Sequence, residues 1–302
     1  MKTIQNDGKI TFATFARPAA YLLPFLTGIL VFTVYPFVNV LLISMREGYS
    51  ILSGGFSSYG LGNYAAILKD RYFLSALRNT GLYVLFVIPV SLVISVFIAA
   101  MIHSMARLKG LFQTFYFLPM VTSITAVGMV WKWMFNYDYG MINYLFSLFG
   151  SPAINWLNNP AYNLSALVIY GVWSMLPFTI ILLLAGFQNI NPQYYTAARV
   201  DGAKGSLIFL RITIPLLAPT IGLTIIVNTI HASQVFTELF PLFNGKPGAA
   251  NALYTVVFYI YDKFYTKWDL GPAAASAVVL FFIVLVFTLF QLLIQRKWKH
   301  YG

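Results

Sequence analysis

The chain has no cysteine among its 302 residues, and only 9% of its residues are charged. Without cysteine, disulfides, thiolate nucleophiles and cysteine-ligated metals are excluded. Soluble domains are about 25% charged and about 45–50% apolar. Here 59% of the residues are hydrophobic. A soluble chain of this length could not shield the corresponding apolar surface from water. The composition therefore predicts an integral membrane protein.

Common motifs of catalysis and nucleotide binding are also missing. The sequence has no G-x-x-x-x-G-K-[ST] phosphate loop, no H-E-x-x-H zinc motif and no G-x-S-x-G nucleophile elbow. Its three histidines lie far apart, and His231 has no second metal ligand at helical spacing. We therefore expect no catalytic residue and no metal site. We also expect no nucleic-acid partner, because basic loops beside membrane spans explain the net charge of +11.

Long apolar runs predict membrane-spanning helices. The strands of a membrane barrel would alternate polar and apolar residues, and the longest runs here do not. A helix that crosses the bilayer needs roughly 20 apolar residues. We predict an all-α integral membrane protein, a single domain over residues 1–302, with six transmembrane helices at Ala19–Met45, Ala76–Ile102, Leu111–Met134, Leu164–Phe187, Leu216–Phe236 and Ala273–Ile294.

The placement of Lys and Arg predicts the orientation of these spans. With residues 1–18 in the cytoplasm, eleven of the 19 basic side chains lie on that side. The bias is clearest where basic residues lie directly against spans, in the turn His103–Gly110 and the segment Arg296–Lys299. We therefore expect both termini to be cytoplasmic, and the first span to be retained rather than removed as a signal peptide.

A polar segment rich in small residues, 189–214, separates the fourth and fifth predicted spans. Asn191-Pro192 is typical of a helix N-terminus. Asp201-Gly202 is typical of a helix end, because glycine adopts a positive φ easily. We expect a helix–turn–helix parallel to the membrane, with a second short helix to about Ile212 and Pro215 starting the fifth span anew. Its small residues would let another protein approach closely.

This segment resembles the cytoplasmic E-A-A-x-x-D-G-A…P loop of bacterial ABC importer permeases. The positions that carry the resemblance are Ala197, Ala198, Asp201, Gly202, Ala203, Phe209, Ile212, Pro215 and Leu216. The usual Glu at the head of the motif is replaced by Thr196. Short segments elsewhere, such as Tyr35-Pro36 and Asn244-Gly-Lys-Pro247, are similar to the carbohydrate-uptake branch of the family, which includes maltose and glycerol-phosphate permeases. Within that branch the chain resembles the type of the larger maltose subunit.

The resemblance implies a permease subunit of an ATP-driven, binding-protein-dependent importer for a sugar or oligosaccharide, working by alternating access in the bacterial cytoplasmic (inner) membrane. It implies a heterodimer with a second related permease, two ATP-binding subunits and an extracytoplasmic solute-binding protein. ATP and Mg²⁺ would bind to the ATPase subunits, so this chain would hold no cofactor. The implied ATPase contacts are Thr196, Ala197, Ala198, Asp201, Gly202, Ala203 and Phe209.

A polar stripe on the fifth span indicates a candidate substrate path. Thr220, Thr224, Asn228, His231 and Gln234 recur every three or four residues, so they share one helical face. Such side chains face the protein interior or water, or bond to a neighbouring helix. In an alignment with the family's maltose permease subunit, the sugar-contacting positions fall on Ser174, Met175, Phe178, Asn228, His231, Ala232 and Val235 of this span and the fourth. Trp173, which matches in identity, and Gln234, from the polar stripe, complete the candidate path residues.

An ion-coupled secondary transporter is the alternative function. Such transporters usually place carboxylates inside the membrane and are built from internal repeats. Only Glu238 approaches a span, at its outer edge, and no repeat is evident. The sequence therefore favours the importer permease.

Overall fold

The computed structural model describes residues 12–51, 53–105, 110, 114 and 118–298. Two short strands, β1 (Arg46–Glu47) and β2 (Ser58–Tyr59), form an antiparallel hairpin. π-helical segments lie at Leu30–Val34, Phe209–Thr213 and Asp262–Thr266, and a 3₁₀ turn at Ala249–Asn251. The α-helices are α1 (Phe12–Ile29), α2 (Tyr35–Ser44), α3 (Gly62–Lys69), α4 (Arg71–Ser104), α5 (Ile124–Met134), α6 (Met141–Ser147), α7 (Pro160–Gln188), α8 (Gln193–Val200), α9 (Gly205–Ile208), α10 (Ile214–Ser233), α11 (Leu239–Phe243), α12 (Val256–Tyr261) and α13 (Leu270–Trp298). The predicted all-α class is confirmed.

Within the described ranges, five helices are long and apolar enough to cross a membrane: Tyr21–Ser44, Arg71–Ser104, Pro160–Gln188, Gly205–Ser233 and Leu270–Gln295. They correspond to the first, second, fourth, fifth and sixth predicted spans. Part of the predicted third span, Leu111–Met134, lies outside the described residues. Its last part forms α5, which at 11 residues is too short to cross a bilayer alone. The count of six spans stays a prediction.

The fifth spanning helix begins earlier than predicted, because Pro215 does not start a new helix. Residues 205–233 form one continuous helix that passes through a π segment. There the Ile214 N–H bonds to the carbonyl of Phe209, five residues earlier. Proline lacks an N–H and crowds the carbonyl four residues before it in an α-helix. The wider π turn accommodates the missing hydrogen bond. The second short helix that we predicted in the loop, to about Ile212, is therefore the first part of the spanning helix.

Two close approaches of helices use glycine. Helices α4 and α7 pack at the centre of the bundle, and α10 contacts both. A Cβ atom at Gly171 would collide with the hydroxyl group of Tyr83, and one at Gly186 would lie 2.6 Å from Oγ1 of Thr220. Substitution at either glycine would therefore push two central helices apart.

Between α10 and α13 the chain folds back into the bundle, which the sequence analysis did not predict. Leu239 and Tyr259 on its short helices are almost fully buried. Buried backbone outside a helix needs hydrogen-bond partners, and α4 supplies them. Asn79 Nδ2 donates to the Tyr254 carbonyl at 2.9 Å, and Thr80 Oγ1 accepts the Val256 N–H at 3.0 Å.

Polar contacts also fasten this segment to the start of α4. The carboxylate of Asp70 accepts the Tyr72 N–H at 2.9 Å and the Tyr259 hydroxyl at 2.7 Å, and Lys263 Nζ lies 3.3 Å from it. Burial favours the neutral acid, but these hydrogen bonds and the Lys263 charge outweigh burial. The pKa of Asp70 is therefore below its ordinary value.

Candidate functional site

A cavity of about 340 Å³ lies between α4, α7 and α10. We call it the central cavity. Six of its lining residues are among the predicted path residues: Ser174, Met175, Phe178, Asn228, His231 and Val235. Tyr83, Met120 and Glu238 complete the lining. The structure thus brings most of the predicted path residues together, while their contact with a substrate stays a prediction.

The central cavity combines an aromatic ring with several hydrogen-bonding groups. The rings of Phe178 and His231 lie edge to face, with centroids 6.3 Å apart. Asn228 is 2% exposed, and its Nδ2 donates to Thr179 Oγ1 at 2.9 Å, which fixes the orientation of the amide. Glu238 Oε2 accepts a backbone N–H at 3.1 Å. Amide, imidazole and carboxylate groups can all bond to hydroxyls, so the cavity suits a hydroxylated ligand with an apolar face.

Three predicted path residues do not line the central cavity. Trp173 packs in an aromatic cluster, with its ring centroid 5.5 Å from that of Trp131. Ala232 is 1% exposed, within the core. Helix α10 ends at Ser233, three residues before the predicted end of the span at Phe236, and Gln234 follows it as an exposed residue. Because the helix ends there, Gln234 does not continue the polar face.

The polar stripe of α10 therefore divides into two parts. Thr220 lies against Gly186 on α7. Thr224 is fully buried, and its Oγ1 donates to the Thr220 carbonyl at 2.8 Å. This part of the stripe packs helices together, and only the part from Asn228 onwards reaches the central cavity.

Sequence reasoning missed Tyr83, Met120 and Glu238 as lining residues. Tyr83 lies on α4, a helix whose apolar residues surround it and hide which face points inward. Glu238 lies beyond the end of α10 at Ser233, so helical spacing does not connect it with His231. Its only signal was its place at the outer edge of the predicted span. Among the described residues, no three His, Asp or Glu side chains gather closely enough to hold a metal ion.

Six of the seven predicted ATPase-contact residues lie on α8 and the turn after it, and Phe209 lies in the π segment that follows α9. We call residues 189–214 the coupling loop. Asn191 Oδ1 accepts the Gln193 N–H at 3.0 Å, which caps α8. At the other end, the Ala203 N–H bonds to the Ala198 carbonyl at 2.9 Å and the Gly202 N–H to the Arg199 carbonyl at 3.0 Å. This pair of bonds is a Schellman cap, and Gly202 has the positive φ of 76° that it requires.

The coupling loop presents small side chains outward. Of its predicted contact residues, Ala198 is buried, Ala203 and Phe209 are half-buried, and Thr196, Ala197, Asp201 and Gly202 are exposed. Val200, which the sequence analysis did not single out, is 83% exposed. The loop is attached to the bundle through Tyr195, whose hydroxyl accepts a hydrogen bond from Thr213 at 3.4 Å.

Thr196 replaces the usual glutamate of the motif. Its Oγ1 donates to the Pro192 carbonyl at 3.3 Å, inside the first turn of α8. Nothing in the structure explains the replacement of the glutamate.

A bundle of apolar helices that encloses a cavity with several hydrogen-bonding groups, and an exposed loop between two of the helices that line the cavity, is the architecture of a membrane transport protein. The family of binding-protein-dependent transport system inner membrane components matches residues 91–300, which is more than half of the chain. The chain therefore belongs to this family, the inner-membrane permeases of ABC importers. That membership favours the importer over the ion-coupled transporter.

Relatives match over most of their length. The chain is 30% identical to the trehalose/maltose transport system permease protein MalF of Thermococcus litoralis, over 91% of this chain and 92% of MalF. It is 31% identical to the lactose transport system permease protein LacF of Rhizobium radiobacter, over 92% and 94%. A crystal structure of a bacterial ABC transporter involved in the import of the acidic polysaccharide alginate has a chain that matches with a TM-score of 0.78 and 23% identity, over 94% and 96%. That likeness shows a shared fold.

Proposed function

We propose that this chain is the sugar-conducting permease subunit of an ATP-driven importer, with the central cavity as part of the sugar path. One observation carries the proposal: α7 and α10, which both line the central cavity, are joined by the exposed coupling loop. A displacement of this loop would move the inner ends of both helices. ATP-driven motion of a bound subunit would thereby reach the cavity walls.

The lining of the central cavity favours a neutral sugar or oligosaccharide. None of its nine lining residues is Lys or Arg, and Glu238 would repel an anionic ligand. Phe178 offers a ring for the apolar face of a sugar, while Asn228 and His231 offer hydrogen bonds to hydroxyls. Relatives named for sugar transport, such as LacF and the MalF of Thermococcus litoralis, support this substrate class without selecting one sugar.

Family membership supports the remaining components of this proposal. The complete transporter would contain a second related permease, two ATP-binding subunits and an extracytoplasmic solute-binding protein, with ATP and Mg²⁺ on the ATP-binding subunits. Thr196, Ala197, Ala198, Asp201, Gly202, Ala203 and Phe209 would form or support the contact with one of these subunits. With the coupling loop in the cytoplasm and six spans, both termini are cytoplasmic.

Sugar-stimulated ATPase activity of the complete complex in proteoliposomes tests the sugar path. Asn228→Ala and His231→Ala should each raise the sugar concentration for half-maximal stimulation about three- to tenfold, the effect of one lost hydrogen bond. Trp173→Phe is the matched control, because its ring lies outside the central cavity and should leave that concentration unchanged. Wild-type sugar dependence in both cavity variants would show that the polar groups are structural.

A further inference from the structure

A second polar cavity, of about 340 Å³, lies at the opposite end of α7 from the coupling loop. Its walls are the ends of α5 and α11 and three loops, 135–138, 155–158 and 244–249. Helix α7 begins just after the second of these loops, and its 29 residues extend about 43 Å towards the coupling loop. We call it the outer cavity, because it faces the outside of the cell in the orientation of the proposed function.

Buried Asn143 holds two walls of the outer cavity together. Its Oδ1 accepts the Ile154 N–H at 3.1 Å and the indole N–H of Trp156 at 2.9 Å. Its Nδ2 donates to the Tyr137 carbonyl at 3.1 Å. A buried amide that is bonded through both of its ends fixes the backbone around it.

Asn163, which is fully buried, connects the third wall. Its Nδ2 donates to the Leu157 carbonyl at 3.0 Å, and its Oδ1 accepts the Ala249 N–H at 2.6 Å. In the same loop, Asn244 and Gly248 have positive φ angles of 57° and 71°. The outer cavity is therefore a defined structure with bonded walls rather than a gap between unconnected loops.

The lining of the outer cavity carries two ammonium groups and one carboxylate. Lys132 donates to Asn244 Oδ1 at the rim. Lys246 is exposed. Among the described residues, no carboxylate lies within ion-pair distance of Lys132 or Lys246. The single acid of the lining is Asp138. Other lysines at this end of the molecule do have carboxylate partners, namely Lys263 with Asp70 and Lys267 with Asp262. The outer cavity thus has an excess of positive charge.

An anionic group is the ligand that such a cavity favours. The transported sugar does not supply one, because the central cavity contains Glu238 and no cation and suits a neutral sugar. The other component that reaches this face of a binding-protein-dependent importer is the binding protein. We propose that the outer cavity receives an acidic side chain of the docked solute-binding protein, with Lys246 as its ion-pair partner. The inference rests on the proposed function, which supplies the orientation and the neutral sugar.

Affinity between the sugar-loaded solute-binding protein encoded beside this chain and the complete transporter in lipid nanodiscs tests the proposal. Lys246→Glu should raise the Kd about tenfold at low ionic strength, since close charge pairs across interfaces contribute strongly. The difference should shrink at about 1 M salt, where the Debye length is about 3 Å. Lys69→Met is the control, because it removes an exposed charge from the same end of the molecule outside the cavity.

An unchanged Kd and salt dependence in Lys246→Glu would overturn the proposal. So would an unchanged Kd together with a shifted sugar dependence of the ATPase, which would make the outer cavity a sugar subsite. Failure of the proposed function itself has a different signature, because the wild-type complex would then show no ATPase response to the loaded binding protein. If the wild-type ATPase responds to the loaded binding protein and Lys246→Glu binds that protein with unchanged Kd, only the outer-cavity proposal is contradicted.

Discussion

Gly202 ends α8 in a left-handed conformation, with φ at +76°. A Cβ atom at this position would meet no atom within 4 Å apart from its chain neighbours, so the requirement for glycine is one of backbone conformation and not of space. Residues with a Cβ adopt this region at a cost of roughly 1–2 kcal/mol. The Asp-Gly pair in the sequence was therefore sufficient to predict the position of this turn.

We predict that Gly202→Ala lowers the stability of the purified chain by about 1 kcal/mol. Gly205→Ala is the matched control. It lies three residues further on, at the start of α9, with ordinary φ and open space around it, and alanine there favours the helix. Thermal unfolding in detergent should rank Gly202→Ala below the wild type and Gly205→Ala at or above it. An equal loss in both variants, or no loss in Gly202→Ala, would mean that the positive φ at Gly202 does not cause the cost.

Residue identity was a weaker guide inside the spans. Trp173 and Ser174 are neighbours on α7, yet Ser174 lines the central cavity while Trp173 packs against Trp131. Tyr83 lines the cavity from a stretch of α4, Leu82–Pro89, that is apolar on every side. Which face of such a helix points inward depends on its neighbours in the bundle, which hydrophobic periodicity does not reveal.

At the scale of secondary-structure elements, Asp70 joins the start of α4 to the segment that folds back between α10 and α13. Its low pKa means that the carboxylate is bound more tightly in the folded chain than in the unfolded one. This contribution is fully present above the unfolded pKa of about 3.9. It is lost as the pH falls through the lower, folded value.

We predict that Asp70→Asn destabilises the chain by about 1–2 kcal/mol at pH 7, the scale of partly exposed hydrogen bonds to a charged group. The difference from the wild type should shrink as the pH falls below about 4. Asp269→Asn serves as control, because that carboxylate lies 3.9 Å from the same Lys263 and is 50% exposed. Thermal unfolding between neutral and acid pH measures both variants, and a difference that stays constant with pH would contradict the ionic account.

The elements that could be predicted from the sequence are those identified by length, as the spans are, or by cap and turn residues, as α8 is. Five apolar runs long enough to cross a bilayer appear as helices. Helices α11 and α12 have only five and six residues. An apolar run this short does not show whether it forms a buried helix or part of a loop. The π segment before Pro215 was also unpredictable, because proline usually starts or breaks a helix.

At the scale of the whole molecule, the central cavity and the coupling loop lie at different depths of the same two helices. The core contacts between them include Ile180, Leu183 and Leu217, all nearly fully buried. Close packing of this kind transmits small displacements rather than absorbing them. The prediction of a single domain over residues 1–302 agrees with this continuity but stays a prediction.

ATP-driven sugar uptake by the complete complex in proteoliposomes tests the central claim most directly. Uptake should require ATP and the loaded binding protein. It should be lost in Ala203→Trp, whose bulk disrupts the coupling loop's contact with the ATP-binding subunit, and retained in Ala203→Ser, which keeps the residue small. Membrane insertion of both variants should match the wild type. Uptake that follows an ion gradient without ATP, or normal uptake by Ala203→Trp, would contradict the account.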